Sequence, residues 1–222
     1  MLGVYRTCPL WAKFKYLDRL PEPPREKEDA RDRGTHRHKL GEDFILADDA
    51  PFPAELIKFE GPLTDVRNIR KNKLGIVELE QPFYFNQYWK PCEEEDRWLV
   101  VIPDIKVTIP GELSLTIDNK TGKRYGNELK HFGQCELYSI SAMILDPGHE
   151  NYEAELWYLD IPETWQITFT PEKLERARAK IDAEVAKMMD DKYFRPRPSK
   201  LNCKYCPYGP RGTGACPVGV AS

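Results

Sequence analysis

Apolar positions recur along this chain with two different periods. In Leu113–Ile117 (LSLTI) they alternate strictly, so Leu113, Leu115 and Ile117 predict a strand with one buried face. Trp98–Ile102 (WLVVI) is apolar throughout, lies between Asp96 and Pro103, and predicts a short buried strand. Helical spacing appears elsewhere. Leu129, Phe132, Leu137, Ile140 and Ile144 form one stripe over 127–144, and Leu174, Ala177, Ile181, Val185 and Met188 form another over 171–190. The second helix has Thr170 as its predicted N-cap and Pro171 in its first turn. Leu10, Phe14 and Leu17 predict a short amphipathic helix within 5–18, entered at Pro9, and a further helix is expected over roughly 36–47.

Two more strands are expected at 153–159 and 165–169, and 76–89 reads as a strand followed by an aromatic loop. Segment 48–75 is mixed and yields no element. The proline-rich, charged stretch 21–34 reads as a linker or exposed loop, and a turn follows the LSLTI strand at TGK. Residues 195–222 are rich in proline and glycine and carry three cysteines, too irregular to fold without a staple. There is no internal repeat.

Composition narrows the function classes. At 222 residues the chain suits one large domain, or a domain with an appendage. No apolar run approaches a membrane span and the start lacks a secretory pattern, so a cytoplasmic protein is expected rather than a transmembrane or exported one. Lysine and arginine number 33 against 36 acidic residues, a net charge of −3. A protein that grips nucleic acid by charge alone is strongly basic. Nucleic-acid binding here therefore needs a local patch or bound cations. Arg195, Arg197, Lys200 and Lys204 form one such patch, or else a solvated linker, while Glu93–Asp96 reads as a solvated loop. The aromatics Phe83, Tyr84, Phe85, Tyr88 and Trp89 either pack in the core or stack unpaired bases.

Candidate chemistry lies in the acidic and lysine residues. Asp/Glu-x-Lys occurs at 104–106, 118–120 and 128–130, and an Asp-Asp-Lys run stands at 190–192. Asp118 and Lys120 continue the polar face of the LSLTI strand, because residues two apart on a strand point the same way. With Asp104, placed after a neighbouring strand, they would make a compact site for a hard divalent cation. Phosphodiester hydrolysis asks for such a set: carboxylates to hold Mg²⁺ or Mn²⁺, and a lysine to orient or deprotonate water. The alternative is a pair of surface aspartates beside a solvated lysine.

These residues carry a resemblance. Pro103-Asp104, followed by Asp118-Asn119-Lys120 in the setting TIDNKTGK, resembles the PD-(D/E)XK nuclease superfamily, in particular its RecB-like branch with an iron–sulfur cluster. Arg33–His38 (RGTHRH) resembles that branch's GTxxH helix start, and Gln134–Tyr138 (QCELY) its QxxxY helix. The resemblance implies an α/β fold, restriction-endonuclease-like, with a mixed central sheet flanked by helices. It also implies that Asp104, Asp118, His38 and the Asn119 carbonyl hold Mg²⁺ or Mn²⁺, with His36 a rival to His38. Lys120 would act on the water, and Gln134 and Tyr138, one helical turn apart, would position the lysine or the scissile phosphate.

The ends of the chain fit the same branch. Cys203-Lys204-Tyr205-Cys206 and Cys216, with Cys8 in TCPLWAKFKY, resemble its four cluster ligands, which implies a 4Fe–4S cluster joining the two ends in a structural role. The pattern alone also admits Zn²⁺ or no metal. Cys92 and Cys135 read as packing residues. One nuclease domain over 1–222 is expected, with 195–222 a cluster-binding tail. The expected activity is metal-dependent cleavage of DNA, single- or double-stranded, as an exonuclease in recombination, repair or phage DNA processing. A helicase, recombinase or single-strand-binding partner would fit that setting. The alternatives are a catalytically silent DNA-binding or replisome accessory module, and a zinc-stabilised RNA-processing protein. Polarity of digestion and oligomeric state have no signature here.

Overall fold

The structure is a computed structural model that describes residues 1–24, 29–121, 128–161 and 163–221. The chain divides into two compact units, one of Glu28–Arg178 and one formed by both ends, Met1–Lys27 with Ala179–Ser222.

The larger unit is built on a five-stranded mixed sheet of order β1-β4-β5-β6-β7. Its strands are β1 (Ile76–Leu79), β4 (Ile105–Ile109), β5 (Leu113–Lys120), β6 (Tyr152–Tyr158) and β7 (Glu163–Phe169). β5 and β6 run parallel and the other three pairs antiparallel. A parallel pair needs a crossover rather than a hairpin, and α5 (Glu128–Leu145) makes it. Strands β2 (Phe83–Phe85) and β3 (Leu99–Val101) form a separate antiparallel ribbon. The α/β class and the mixed sheet flanked by helices are as expected.

The alternation of β5 explains how the sheet is covered. Leu113, Leu115 and Ile117 turn to one side, joining Ile105 and Val107 of β4 and Trp157 of β6. This face is packed by Phe44 and Ile45 of α3 (Asp29–Leu46), by Leu56 and Phe59 of the 3₁₀ segment Ala54–Phe59, and by Leu63 and Val66 of α4 (Glu60–Lys71). The opposite face presents Ser114, Thr116 and Asp118 of β5 and Lys106 and Thr108 of β4, all buried. Helix α5 covers it. Most of this polar face finds partners: Lys106 donates to Glu78 at 2.8 Å and to Thr108 at 3.1 Å, and pairs with Asp146 at 2.6 Å, while the Ser114 hydroxyl has no partner among the described residues.

Several expectations need correction. Strand β4 was not expected at all. α3 begins at Asp29, so residues 29–34 of the expected loop are helical, while 25–28 lie outside the described residues. Segment 48–75 holds the 3₁₀ segment and α4. Trp98, Val100 and Ile102 are 39%, 42% and 45% exposed, because the β2–β3 ribbon is covered on one face only, where Phe85 and Val101 meet Tyr138. Within the expected aromatic loop, Phe85 and Trp89 are buried and Tyr88 is exposed. Gly122 and Lys123 of the expected turn, and the side chain of Leu129, lie outside the described residues.

The second unit contains α1 (Leu2–Thr7), α2 (Pro9–Ala12), a π-helical turn at Lys13–Leu17, and α7 (Lys200–Lys204). Helix α6 (Pro171–Met189) passes from the first unit into the second. It buries Leu174 and Ala177 in the first, and Met188 packs with Tyr5, Ala12 and Phe194 in the second. Among the described residues no helix is long and apolar enough to cross a membrane.

Candidate active site

The site grows from the polar face of β5. Asp118 and Lys120 lie near the strand's end, where the sheet's hydrogen bonding to β6 fixes their backbone. Asp118 is 3% exposed, and α5 supplies what a buried carboxylate requires. The Gln134 amide donates to Asp118 Oδ1 at 2.9 Å and the Tyr138 hydroxyl to the same oxygen at 3.2 Å. Gln134 Oε1 accepts from Lys120 Nζ at 2.9 Å, and its amide nitrogen meets the Tyr138 hydroxyl at 2.6 Å. The Lys120 ammonium forms an ion pair with Asp118 Oδ2. That oxygen is buried and accepts no aligned hydrogen bond. Gln134 thus joins the acid and the base of the expected Asp-x-Lys set, which the one-turn spacing of Gln134 and Tyr138 on α5 makes possible.

Asp104 reaches the same place by a different route. It stands at the entry to β4, opposite Asp118 in the continued β4–β5 register, and its Oδ2 accepts the Asn119 backbone N–H at 2.5 Å. Burial and the Asp118 charge push its carboxyl up to about 6, against the opposing pull of His38, the Asn119 N–H and Lys120. The same surroundings raise the Tyr138 hydroxyl above its ordinary value, chiefly by burial and then by Asp118. Two carboxylates facing each other with one lysine between them leave negative charge unbalanced, which suits a divalent cation.

His38 comes from α3. Its Nδ1 lies 3.6 Å from Asp104 Oδ2, whereas His36 turns away to Glu55 at 3.3 Å. The helix can lie close to the end of β5 because Gly34 has no side chain: a Cβ there would stand 2.8 Å from Thr121 Oγ1. One residue at this place carried no signal in the motifs. Glu80, just past β1, has a carboxylate oxygen that lies with His38 and Asp104 ligand atoms, all within 4.8 Å of one another. Asp118 is outside that group and belongs to the lysine network.

In the second unit, Cys8, Cys203, Cys206 and Cys216 line one pocket, together with Trp11 and Phe14. The Arg197 backbone N–H points at Cys8 Sγ at 3.4 Å. Burial, with the nearby Cys8 and Cys216 sulfurs, raises the Cys206 thiol above its ordinary value. Cys135 is fully buried and its thiol is pushed up to about 12, by burial and then by Asp118. Arg195, Arg197, Lys200 and Lys204 are all exposed.

Comparison with solved structures finds the protein SSO0001, 16% identical, with 99% of this chain and 86% of that one covered at a TM-score of 0.45. It also finds a Eubacterium rectale protein provisionally named an exonuclease, 11% identical, with 85% and 79% covered at a TM-score of 0.48. No curated protein matches in sequence. The sequence model of one family matches residues 2–211, nearly the whole chain. With that match, and with Asp104, Asp118 and Lys120 gathered at adjacent strands, the chain belongs to the PD-(D/E)XK nuclease superfamily.

Proposed function

We propose that this nuclease is a divalent-cation-dependent deoxyribonuclease of the RecB-like branch, digesting DNA from its ends in recombination, repair or phage DNA processing. The observation that carries this reading is the closed network of Asp118, Lys120, Gln134 and Tyr138 set directly against Asp104. Its members are the residue types that phosphodiester hydrolysis needs, in contact with one another. The residues also suit the Mg²⁺ or Mn²⁺ that this superfamily uses: Asp104 is buried and crowded by a second carboxylate, with the His38 imidazole 3.6 Å away.

Asp104, Asp118, His38 and the Asn119 carbonyl would hold the cation, which when bound offsets charge on the phosphate and activates water. Lys120 orients the attacking water and balances the charge that builds up as it attacks. Gln134 holds the ammonium in place through its oxygen and turns Asp118 through its nitrogen. Tyr138 fills the second acceptor site on Asp118 Oδ1 and keeps the carboxylate from rotating.

The four cysteines around one pocket support a 4Fe–4S cluster with a structural role. A tetrahedral zinc, with bonds of about 2.3 Å, draws its sulfurs to about 3.8 Å of one another. Metal analysis of the purified protein separates the two, iron for the cluster and one zinc per chain for the alternative.

End-labelled single- and double-stranded DNA incubated with Mg²⁺ or Mn²⁺ tests the reading and gives the direction of digestion. Asp118→Asn and Lys120→Ala are each expected to lower the rate by about 10²–10³-fold. Equal degradation by wild type and both variants would overturn it. DNA retention without cleavage by the wild type would favour the catalytically silent module instead.

A further inference from the structure

We propose that Glu80, a residue outside the PD…DxK motif, is a ligand of the catalytic cation and forms a three-point site with His38 and Asp104. The proposal rests on the metal-dependent reading above. Its first ground is position. In the β1–β4 ladder Leu79 stands opposite Ile105 and Glu78 opposite Lys106. Glu80 and Asp104 continue that register, and the Glu80 N–H donates to the Asp104 carbonyl at 3.0 Å. Two cross-strand neighbours in this arrangement have side chains that reach one another. The Glu80 carboxylate, the His38 imidazole and the Asp104 carboxylate thus bring two oxygens and one nitrogen within 4.8 Å of one another, a donor set suited to Mg²⁺ or Mn²⁺.

The second ground is that no described residue uses this carboxylate. Glu80 is exposed, and its side chain makes no hydrogen bond or ion pair with a described residue. The third is its backbone, at φ +46°, in the left-handed region that glycine occupies freely and a side chain occupies at a cost. For folding alone glycine is the better residue at position 80. A side chain kept there against the backbone preference, unpartnered and aimed at a histidine and an aspartate, fits a ligand held in place for an ion.

Mn²⁺ binding to the purified full chain, followed by titration calorimetry and by the electron paramagnetic resonance of free Mn²⁺, separates the outcomes. Glu80→Gln and Glu80→Gly are expected to weaken binding by about tenfold or more. Glu80→Gly should also leave the metal-free melting temperature unchanged or raise it, which a residue needed only for structure would not do. Wild-type affinity in Glu80→Gln would overturn the proposal while leaving the nuclease reading intact. A wild type that binds no Mn²⁺ at all would remove that reading, and this proposal with it.

Discussion

The Asp104 carboxylate accepts the backbone N–H of Asn119, the residue between Asp118 and Lys120, at 2.5 Å. This bond ties the entry of β4 to the end of β5, and it fixes the distance between two carboxylates that repel. The acid brought by Pro103-Asp104 and the acid brought by Asp-x-Lys are therefore held together by main chain, whether or not an ion lies between them.

Burial of Asp104, together with that repulsion, has a pH signature. The folded protein raises the Asp104 carboxyl to about 6, above its ordinary 3.8, so the folded state holds this proton more tightly than the unfolded chain. Stability of the metal-free protein should fall as pH rises from near 4 through about 6. Asp104→Asn removes that loss. Its melting temperature, measured in chelator, should exceed the wild type's by more at a pH well above 6 than near pH 4. An equal difference at both would contradict the assignment.

Gln134 serves three partners at once, so its two polar ends should be separable. Gln134→Leu is expected to lower kcat by about 10–100-fold, because the lysine and Asp118 both lose their positioning bond. Gln134→Glu keeps the acceptor for Lys120 but turns a carboxylate toward Asp118. Its rate should fall further at high pH and recover partly as pH is lowered, which a pH–rate profile would record.

Ile117 is fully buried and immediately precedes Asp118. Ile117→Ala should destabilise the sheet unit by about 2–5 kcal/mol, read as a shift of the urea midpoint. Ile117→Val should cost about 0.5–1.5 kcal/mol and preserve most activity.

The cysteines divide into two groups by their expected behaviour. Protein purified without oxygen should be brown and contain iron, and Cys203→Ser or Cys206→Ser should abolish both. Cys92→Ser and Cys135→Ser should leave colour and iron unchanged. A colourless wild type carrying one zinc would rule out the cluster.

Much of the site was legible from sequence because the signal is local. Asp118 and Lys120 share a face of an alternating strand, and Gln134 and Tyr138 are one turn apart on a helix, so spacing alone places each pair. Strand β4 escaped notice because Lys106 interrupts its apolar run. The lysine is buried all the same, at 4% exposure, held by Glu78, Asp146 and Thr108, partners distant in sequence. WLVVI misled in the opposite direction: continuous apolarity suggests two covered faces, but the β2–β3 ribbon has one. Glu80 was invisible because its place depends on the β1–β4 register, and without β4 there is no register to read.

Position within the sheet sets how firmly each acid is held. β4 and β5 are bonded on both sides, whereas β1 lies at the margin with a single neighbour. Asp104 and Asp118 therefore sit on or beside strands bonded on both sides, and Glu80 just past a strand with one neighbour. Breathing of that outer strand would withdraw one oxygen while the other two stay put, so exchange of the ion with solvent need not await any wider unfolding.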